Sequence, residues 1–328
     1  MTADNHEYYD AWPWLSTSTC TMEEVKQRFM TAFGLENTNT SVKIGAYQFI
    51  GVSADGCEDG YATYSGETIT WLAKELMEAN ERSSKKPIFV FVHQPPMNTV
   101  DVSGRNSVST LNGVLKQYPQ AVVFSSHTHA PLQDERTIHQ EFFTTVNTAS
   151  LYYASAADGL NYSNLEEFAR VPKSEEFAQG LLVRVKGKKV DIERHDFYND
   201  TIIGENWVIE KPYDVESYQY TADNKNEVAP KFANDAKGSI KKISDSQYEV
   251  TFDTATDDEF VHHYVVNALT DERIYPERTI NILADFYLGT QAKTVTCELR
   301  ELTEKFSYTF EVYAVDCYGN MSEPLIVK

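Results

Sequence analysis

The stretch AVVFSSHTHAP, residues 121–131, is an apolar run that ends in two histidines separated by one residue. A short continuous apolar run of this kind is typical of a strand buried on both faces of a layered α/β domain. A second run on the same plan, IFVFVHQPP at residues 88–96, also ends in a histidine, His93. Because loops that follow such strands gather functional groups, the two strand ends are the first candidates for a functional site.

Helix patterns alternate with these strands. Residues 21–34 predict a helix that begins with a capping box between Thr21 and Glu24. The apolar face of this first helix is predicted to hold Val25, Phe29 and Phe33. A second helix is predicted to start near Ser65. Its inward positions are Ile69, Leu72, Ala73 and Leu76.

From about Tyr218 the pattern changes to short alternating segments with turn residues between them, which favours a small all-β sandwich. Before that point, residues 180–197 predict a hairpin that turns at Lys186 to Lys188. We therefore expect an α/β domain over residues 1–217 and a β-sandwich over residues 218–328.

Composition excludes several classes of function. The net charge of −20 opposes binding to a nucleic-acid polymer, and the basic segments KGKK and IKK are short and isolated in the sequence. No run approaches the ~18 apolar residues of a membrane span. The first residues, MTADNHEYYDAWPW, have neither the basic segment nor the apolar core of a secretory signal, so we expect none in this sequence. The cysteines have no metal-like spacing.

An isolated His-x-His pair such as His127 and His129 is equally compatible with a polar turn whose imidazoles bond the backbone. Two further clusters, DNHE at residues 4–7 and the loop at His93, make a metal site the better interpretation. Imidazole nitrogens and an amide oxygen are good ligands for a divalent transition metal.

The order of NHE, the helix with WLAKEL, HQPP and SSHTHAP resembles the second half of the calcineurin-like metallophosphoesterases over residues 4–210. The resemblance implies a layered double-sheet sandwich flanked by helices and a site for two divalent ions such as Mn, Fe, Zn or Mg. It also implies that Asn5, His93 and His127 are ligands of the second ion and His129 a ligand of the first. By the same resemblance, His6 contacts the phosphoryl group or protonates the leaving oxygen.

This family also uses carboxylates in a D-x-H motif and a GD-x-x-D motif, which belong upstream of NHE. Asp4 and Ser126 stand where the family has glycines. We therefore expect an incomplete, N-terminally truncated domain that holds at most one ion, weakly, and is inactive or impaired as given. The sequence leaves open whether the chain is a piece of a longer enzyme or a natural remnant.

The segment LTEKFSYTFEVYAVDCYGNMSEPLIV, residues 302–327, resembles the end of a fibronectin type III-like domain, with Leu302 six residues before Tyr308 as in a tyrosine corner. A generic β-sandwich edge is the alternative. The resemblance implies that the full-length protein is secreted or attached to the cell surface. The adjacent His262 and His263 are predicted to face solvent on a strand.

Together these features predict metal-dependent hydrolysis of a phosphomonoester or phosphodiester, with a small molecule or nucleotide as substrate, by the full-length protein. The alternative is a non-catalytic remnant that acts as an extracellular binding or structural module. A homo-oligomer is expected, because loss of the upstream strands would leave apolar faces and unpaired strand edges.

Overall fold

The computed structural model describes residues 2–3, 5–8, 11, 20–58, 61–101, 103, 109–155, 171 and 173–328. The chain forms two compact units. The first unit comprises Met1–Leu132, Arg136–Leu151 and Ala178–Asn224, and the second comprises Gln133–Glu135, Tyr152–Phe177 and Lys225–Lys328. The division into 1–217 and 218–328 as functional domains stays a prediction.

The first unit contains four described α-helices. They are α1 (Asn5–Tyr8), α2 (Met22–Phe33), α3 (Gly66–Arg82) and α4 (Ser109–Leu115), of which α2 and α3 begin where the sequence predicts. The capping box of α2 is present, with the Thr21 hydroxyl accepting from the Glu24 amide, and Gly34 ends the helix in the left-handed region at φ 63°. Ser65 caps α3 by accepting from the Thr68 amide at 3.2 Å.

The larger sheet of the first unit has six strands in the order β1-β2-β5-β6-β8-β7. Its strands are β1 (Thr40–Ile44), β2 (Tyr47–Gly51), β5 (Ile88–Phe91), β6 (Ala121–Ser125), β7 (Ile138–Gln140) and β8 (Thr144–Asn147). Strands β2, β5, β6 and β8 are parallel, and the edge strands β1 and β7 pair antiparallel. The carboxyl ends of the parallel strands therefore meet at one edge of the sheet.

The two faces of this sheet carry different side chains. Ile50, Val90 and Val123 are fully buried with the apolar residues of the helices, among them Leu72 of α3. Full burial of one such side chain contributes about 1.5–3 kcal/mol. The opposite face carries a ladder of stacked rings. The rings are those of Phe49, Phe89, Phe91 and Phe124.

Two smaller sheets complete the first unit. One contains β9 (Gln179–Lys186), β10 (Lys189–Asp196), β11 (Thr201–Ile202) and β12 (Trp207–Ile209), and the other pairs β3 (Gly56–Glu58) with β4 (Tyr61–Thr63). Strands β9 and β10 form the predicted hairpin, which turns at Gly187 in the left-handed region, φ 69°. The unit is thus mixed α/β and mostly strands, while the layered double-sheet arrangement of the family stays a prediction.

The second unit contains two antiparallel sheets, ordered β13-β14-β17 and β16-β15-β18-β19. Its strands are β13 (Gly238–Ser244), β14 (Gln247–Asp253), β15 (His263–Leu269), β16 (Arg278–Leu283), β17 (Thr294–Leu299), β18 (Thr309–Val315) and β19 (Leu325–Val327). Rings of β14 pack against the other sheet, with Tyr248 5.8 Å from Phe310 and Phe252 5.1 Å from Tyr264 between ring centroids. The Tyr308 hydroxyl accepts from the Thr303 amide at 2.9 Å.

The exposure of four side chains bears on the predictions made from the sequence. Val42 and Ile44 on the edge strand β1 are 53% and 61% exposed, but the predicted homo-oligomer stays a prediction. Phe33 lies on the same face of α2 as Phe29, as predicted, but it is 49% exposed. His262 is buried, so the prediction that it faces solvent is wrong.

No helix in the described ranges is both long and apolar enough to span a bilayer.

Candidate functional site: an imidazole cluster

Two of the predicted site residues meet at the carboxyl ends of β5 and β6. These strands are parallel with Phe91 opposite Phe124, and His93 and His127 follow their strands by the same short step. The Ser126 amide donates to the His93 carbonyl at 2.8 Å, which joins the two loops. As a result, His127 Nδ1 lies 3.2 Å from His93 Nε2, with the rings nearly perpendicular.

A third imidazole reaches the pair from the start of the chain. The segment around α1 bonds to the loop after β2: the Ala54 amide donates to the Ala3 carbonyl at 2.9 Å, and the Tyr8 hydroxyl donates to the Ala54 carbonyl at 2.8 Å. These bonds place the exposed His6 ring 5.2 Å from the His93 ring between centroids. His6, His93 and His127 therefore converge from three separate segments of the chain.

The loop that carries His127 and His129 has an unusual backbone. Both histidines lie in the left-handed region, with φ of 65° and 53°, whereas Ser126, at the expected glycine position, does not. Asn147, the fully buried last residue of β8, donates from its side-chain amide to the Ser126 carbonyl at 3.2 Å and to the Thr128 hydroxyl at 2.6 Å. The buried side-chain amide of Asn147 thus stabilises the turn at Ser126, where the family pattern has a glycine.

The side chains of Asn5 and Asp4 lie outside the described residues, so their predicted roles as a ligand and as a glycine replacement stay predictions. His129 is close enough to His93 and His127 for its charge to lower the pKa of both. Its assignment to a first metal ion also stays a prediction.

Gln94 fixes the proton positions in the His93–His127 pair. Its Oε1 accepts from the Ala62 amide at 2.8 Å, and because a backbone N–H can only donate, the amide nitrogen of Gln94 must face His127. That nitrogen lies 3.4 Å from His127 Nε2, which accepts. The His127 proton is therefore on Nδ1 and is donated to His93 Nε2.

Both members of the pair are neutral at pH 7. Burial lowers the pKa of His93 to about 3, with further lowering by the neighbouring His127, His6 and His129. Burial also lowers the pKa of His127 to about 4, with His6 and His129 adding to the effect. Neutral imidazole is the form that binds metal ions.

The donor set fits one metal ion better than two. Two nitrogens at 2.0–2.1 Å from a tetrahedral ion lie about 3.3 Å apart, close to the 3.2 Å between His127 Nδ1 and His93 Nε2. Among the described residues, no group of three or more His, Cys, Asp or Glu side chains is arranged to hold a metal. A pair of ions bridged by a carboxylate therefore does not fit the described residues.

Metal binding through His127 Nδ1 would move its proton to Nε2, where it would face the donor nitrogen of Gln94. In the Gln94→Glu variant a carboxylate accepts from both the Ala62 amide and the His127 Nε2–H. We expect this variant to bind Co²⁺ roughly tenfold more tightly than the wild type, a size typical of changes to the partners of metal-bound histidines. Isothermal titration calorimetry measures the affinity, and ¹⁵N chemical shifts of the imidazoles report the tautomer.

Gln94→Met is the control, because it retains the length of the side chain without its hydrogen bonds. A Gln94→Glu variant whose ring protons stay on His127 Nδ1, or whose Co²⁺ affinity equals that of the wild type, would contradict the role given to Gln94.

Gln94 and Asn147 were not singled out from the sequence. Each is an amide that adjoins an apolar strand, Gln94 in HQPP after β5 and Asn147 at the end of β8, and each is fully buried. A polar residue directly beside a buried strand is a weak signal, because many such residues cap loops without a functional role.

Comparison with known proteins adds little support for any assignment of fold or function. No family model and no curated protein matches the chain. A dimetal phosphatase from Danio rerio is 10% identical over 63% of this chain and 70% of its own, with a TM-score of 0.38. The fn3 domain of human collagen alpha-1(XX) chain is 18% identical over 30% of this chain and 80% of its own, with a TM-score of 0.21. Titin module A71 from human cardiac muscle is 16% identical over 32% of this chain and 90% of its own, with a TM-score of 0.20. Similarity at this level assigns neither a fold nor a function to the chain.

Proposed function

We propose that the first unit binds one divalent transition-metal ion through His93 and His127 and takes part in the hydrolysis of a phosphomonoester or phosphodiester. The observation that carries the proposal is the convergence of His6, His93 and His127 at the carboxyl ends of parallel strands, where α/β folds commonly bind ligands. Imidazole nitrogens favour Zn or Fe over Mg, which prefers oxygen ligands.

The residues of the cluster have distinct parts in this proposal. A divalent ion bound there would neutralise phosphoryl oxygens and lower the pKa of water at the site. His93 and His127 are buried enough to stay neutral and hold the ion, with Asn5 and His129 as further ligands. His6 is exposed beside them, so it can meet a substrate and supply a proton to the leaving oxygen.

The shortage of carboxylates limits the expected rate. Neutral imidazoles leave the charge of a dication uncompensated, and the described residues offer no carboxylate in a metal-holding group with them. We therefore expect weak affinity for one ion and slow turnover by the chain as given.

Hydrolysis of bis-p-nitrophenyl phosphate tests the proposal. The chain loaded with Co²⁺ or Mn²⁺ is expected to release p-nitrophenolate above the rate of the metal ion alone. His6→Ala is expected to lower kcat by roughly 100-fold with little change in metal affinity, as for loss of a general acid. The metal affinity of this variant is measured in parallel by calorimetry.

Tight metal binding with no turnover, or turnover that His6→Ala leaves unchanged, would argue against the catalytic proposal. The first of these outcomes would favour the alternative function, a non-catalytic binding or structural module. The absence of a three-ligand group among the described residues is the observation that keeps this alternative in place.

A further inference from the structure

A basic groove of about 280 Å³ lies at the opposite end of β5 from the imidazole cluster. It is formed by the end of α3, the turn between β1 and β2, and the start of β5. Three cationic residues, Lys43, Arg82 and Lys86, line it. All of the residues that line the groove are described, and no carboxylate is among them.

This concentration of positive charge runs against the composition of the chain. The sequence has 29 Lys and Arg residues against 49 Asp and Glu residues, so an average stretch of the protein surface would carry more carboxylates than cations. Charges of one sign along a concave, low-dielectric wall focus the electric field and attract the opposite charge. The groove is thus a positive site on a negative protein.

Arg82 is held in place by a relay of hydrogen bonds. Its Nη2 donates to Gln48 Oε1 at 2.6 Å, Gln48 Nε2 donates to the Ser41 hydroxyl at 2.7 Å, and that hydroxyl donates to Glu75 Oε2 at 2.5 Å. Gln48 is buried. The relay uses one of the five guanidinium N–H groups. Arg82 Nη1 lies 4.0 Å from Glu78 Oε2, beyond hydrogen-bond distance, so further N–H groups can meet a ligand from a fixed position.

The two lysines of the groove form no ion pair within the described part of the chain. Lys86 lies over the ring of Tyr47, with its Nζ 5.3 Å from the ring centroid. A cation–π contact contributes about 0.5–2 kcal/mol, more as the pair is desolvated, and leaves the ammonium hydrogens available. Lys43 is exposed.

A second basic segment lies beside the groove. The Tyr47 hydroxyl donates to the Gly187 carbonyl at 3.1 Å, which brings the KGKK turn next to the groove. Lys188 and Lys85 both lie near the ring of Tyr213, at 5.7 and 5.9 Å from its centroid. The KGKK turn and the lysines at positions 85 and 86 are therefore neighbours in the fold, although they are far apart in the sequence.

Two features weaken the positive field without reversing it. The end of α3 contributes about half of one negative elementary charge from its helix dipole. Glu78 lies 4.0 Å from Arg82 as an exposed ion pair. Against these stand the three full charges of the groove and the two lysines beside it.

We propose that this groove binds an oligophosphate group, such as a diphosphate or triphosphate. A single carboxylate matches only one of the three cations, whereas an oligophosphate carries several charges within the reach of all three. Guanidinium and ammonium groups are the usual donors to phosphate oxygens. The volume is near the lower limit of about 300 Å³ for small-molecule sites, which favours a compact ligand.

The groove is independent of the proposed phosphoesterase site. It includes Ile88, the first residue of β5, while His93 lies five residues further along the chain, about 16 Å at ~3.3 Å per residue. A ligand in the groove therefore does not contact the imidazole cluster, and either proposal can fail without the other.

Calorimetric titration of the full chain with tripolyphosphate, in the presence of a chelator that removes metal ions, tests the groove. We expect saturable binding at a stoichiometry of one per chain that weakens as salt is raised. The Lys43→Ala/Lys86→Ala double variant is expected to bind at least tenfold more weakly, because it removes two charge-assisted contacts. Lys231→Ala/Lys237→Ala is the matched control, since it removes the same charge from exposed positions of the second unit.

Thermal melting shows whether each variant is folded, and poly-glutamate serves as a competing anion without phosphate. Equal affinity of the wild type and the Lys43→Ala/Lys86→Ala variant for tripolyphosphate would overturn the proposal. Tighter binding of poly-glutamate than of tripolyphosphate would overturn the assignment to phosphate and point to an acidic peptide. Retention of wild-type affinity by the control variant would support the groove as the site.

Discussion

Replacing His93 and His127 together with glutamine lowers the affinity of the chain for Co²⁺ by at least about 100-fold. The pair presents two neutral imidazole nitrogens 3.2 Å apart, and a change to the partner of a single metal-bound histidine already costs about 10–100-fold. Removal of both ligands costs more than that. Glutamine retains a polar side chain of similar size, and calorimetry with Co²⁺ measures the affinity.

The second unit provides a matched control. His262 and His263 also form a pair, with their Nδ1 atoms 3.0 Å apart, but they belong to the second unit and not to the imidazole cluster. His262→Gln/His263→Gln is expected to leave Co²⁺ binding unchanged. If this variant loses the ion and His93→Gln/His127→Gln retains it, the imidazole cluster is not the metal site.

Local sequence patterns predicted much of the first unit. The capping box at Thr21 and Glu24 forms because the partners are three residues apart in one turn of helix. The meeting of His93 and His127 also follows from the sequence, because parallel strands bring their carboxyl ends to the same edge of a sheet. Features that depend on short spacings or on regular strand pairing can therefore be predicted from the sequence.

The exposure of Phe33 and the burial of His262 have separate causes. Phe33 lies in the last turn of α2, where its ring contacts Phe29 at 5.0 Å between centroids but remains largely in solvent. His262 immediately precedes β15, whose buried side chains are at positions 264, 266 and 268. Because side chains alternate across a strand, only one of His262 and His263 can face solvent, and His262 continues the buried series.

The remaining features depend on approaches between distant parts of the chain. Gln94 fixes the His127 tautomer only because the Ala62 amide occupies its oxygen. The basic groove gains its neighbouring lysines only because Tyr47 bonds Gly187, 140 residues later. Neither approach leaves a periodic trace in the sequence, so composition and spacing could not have revealed them.

Acid is expected to destabilise the metal-free first unit through the same histidine pair. Burial holds the pKa of His93 at about 3 and that of His127 at about 4 in the folded chain, against an ordinary value of 6.5. Between these values the unfolded chain binds protons that the folded chain does not, so the free energy of unfolding falls as the pH falls. The full contribution is present above about pH 6.5, and at pH 4 we expect a loss on the order of 3 kcal/mol from each of the two histidines.

Tryptophan fluorescence isolates this effect, because Trp71 and Trp207 lie in the first unit and the ranges that form the second unit contain no tryptophan. Urea unfolding with a chelator present, at pH 7, 6, 5 and 4, gives the free energy of unfolding of that unit at each pH. Carboxylates elsewhere also titrate in this range, so the informative quantity is the difference between the wild type and His93→Gln/His127→Gln. That difference is expected to shrink or reverse in favour of the variant as the pH falls. Parallel pH profiles of the two proteins would mean that the fold holds neither histidine neutral, which would contradict the lowered pKa values of the pair.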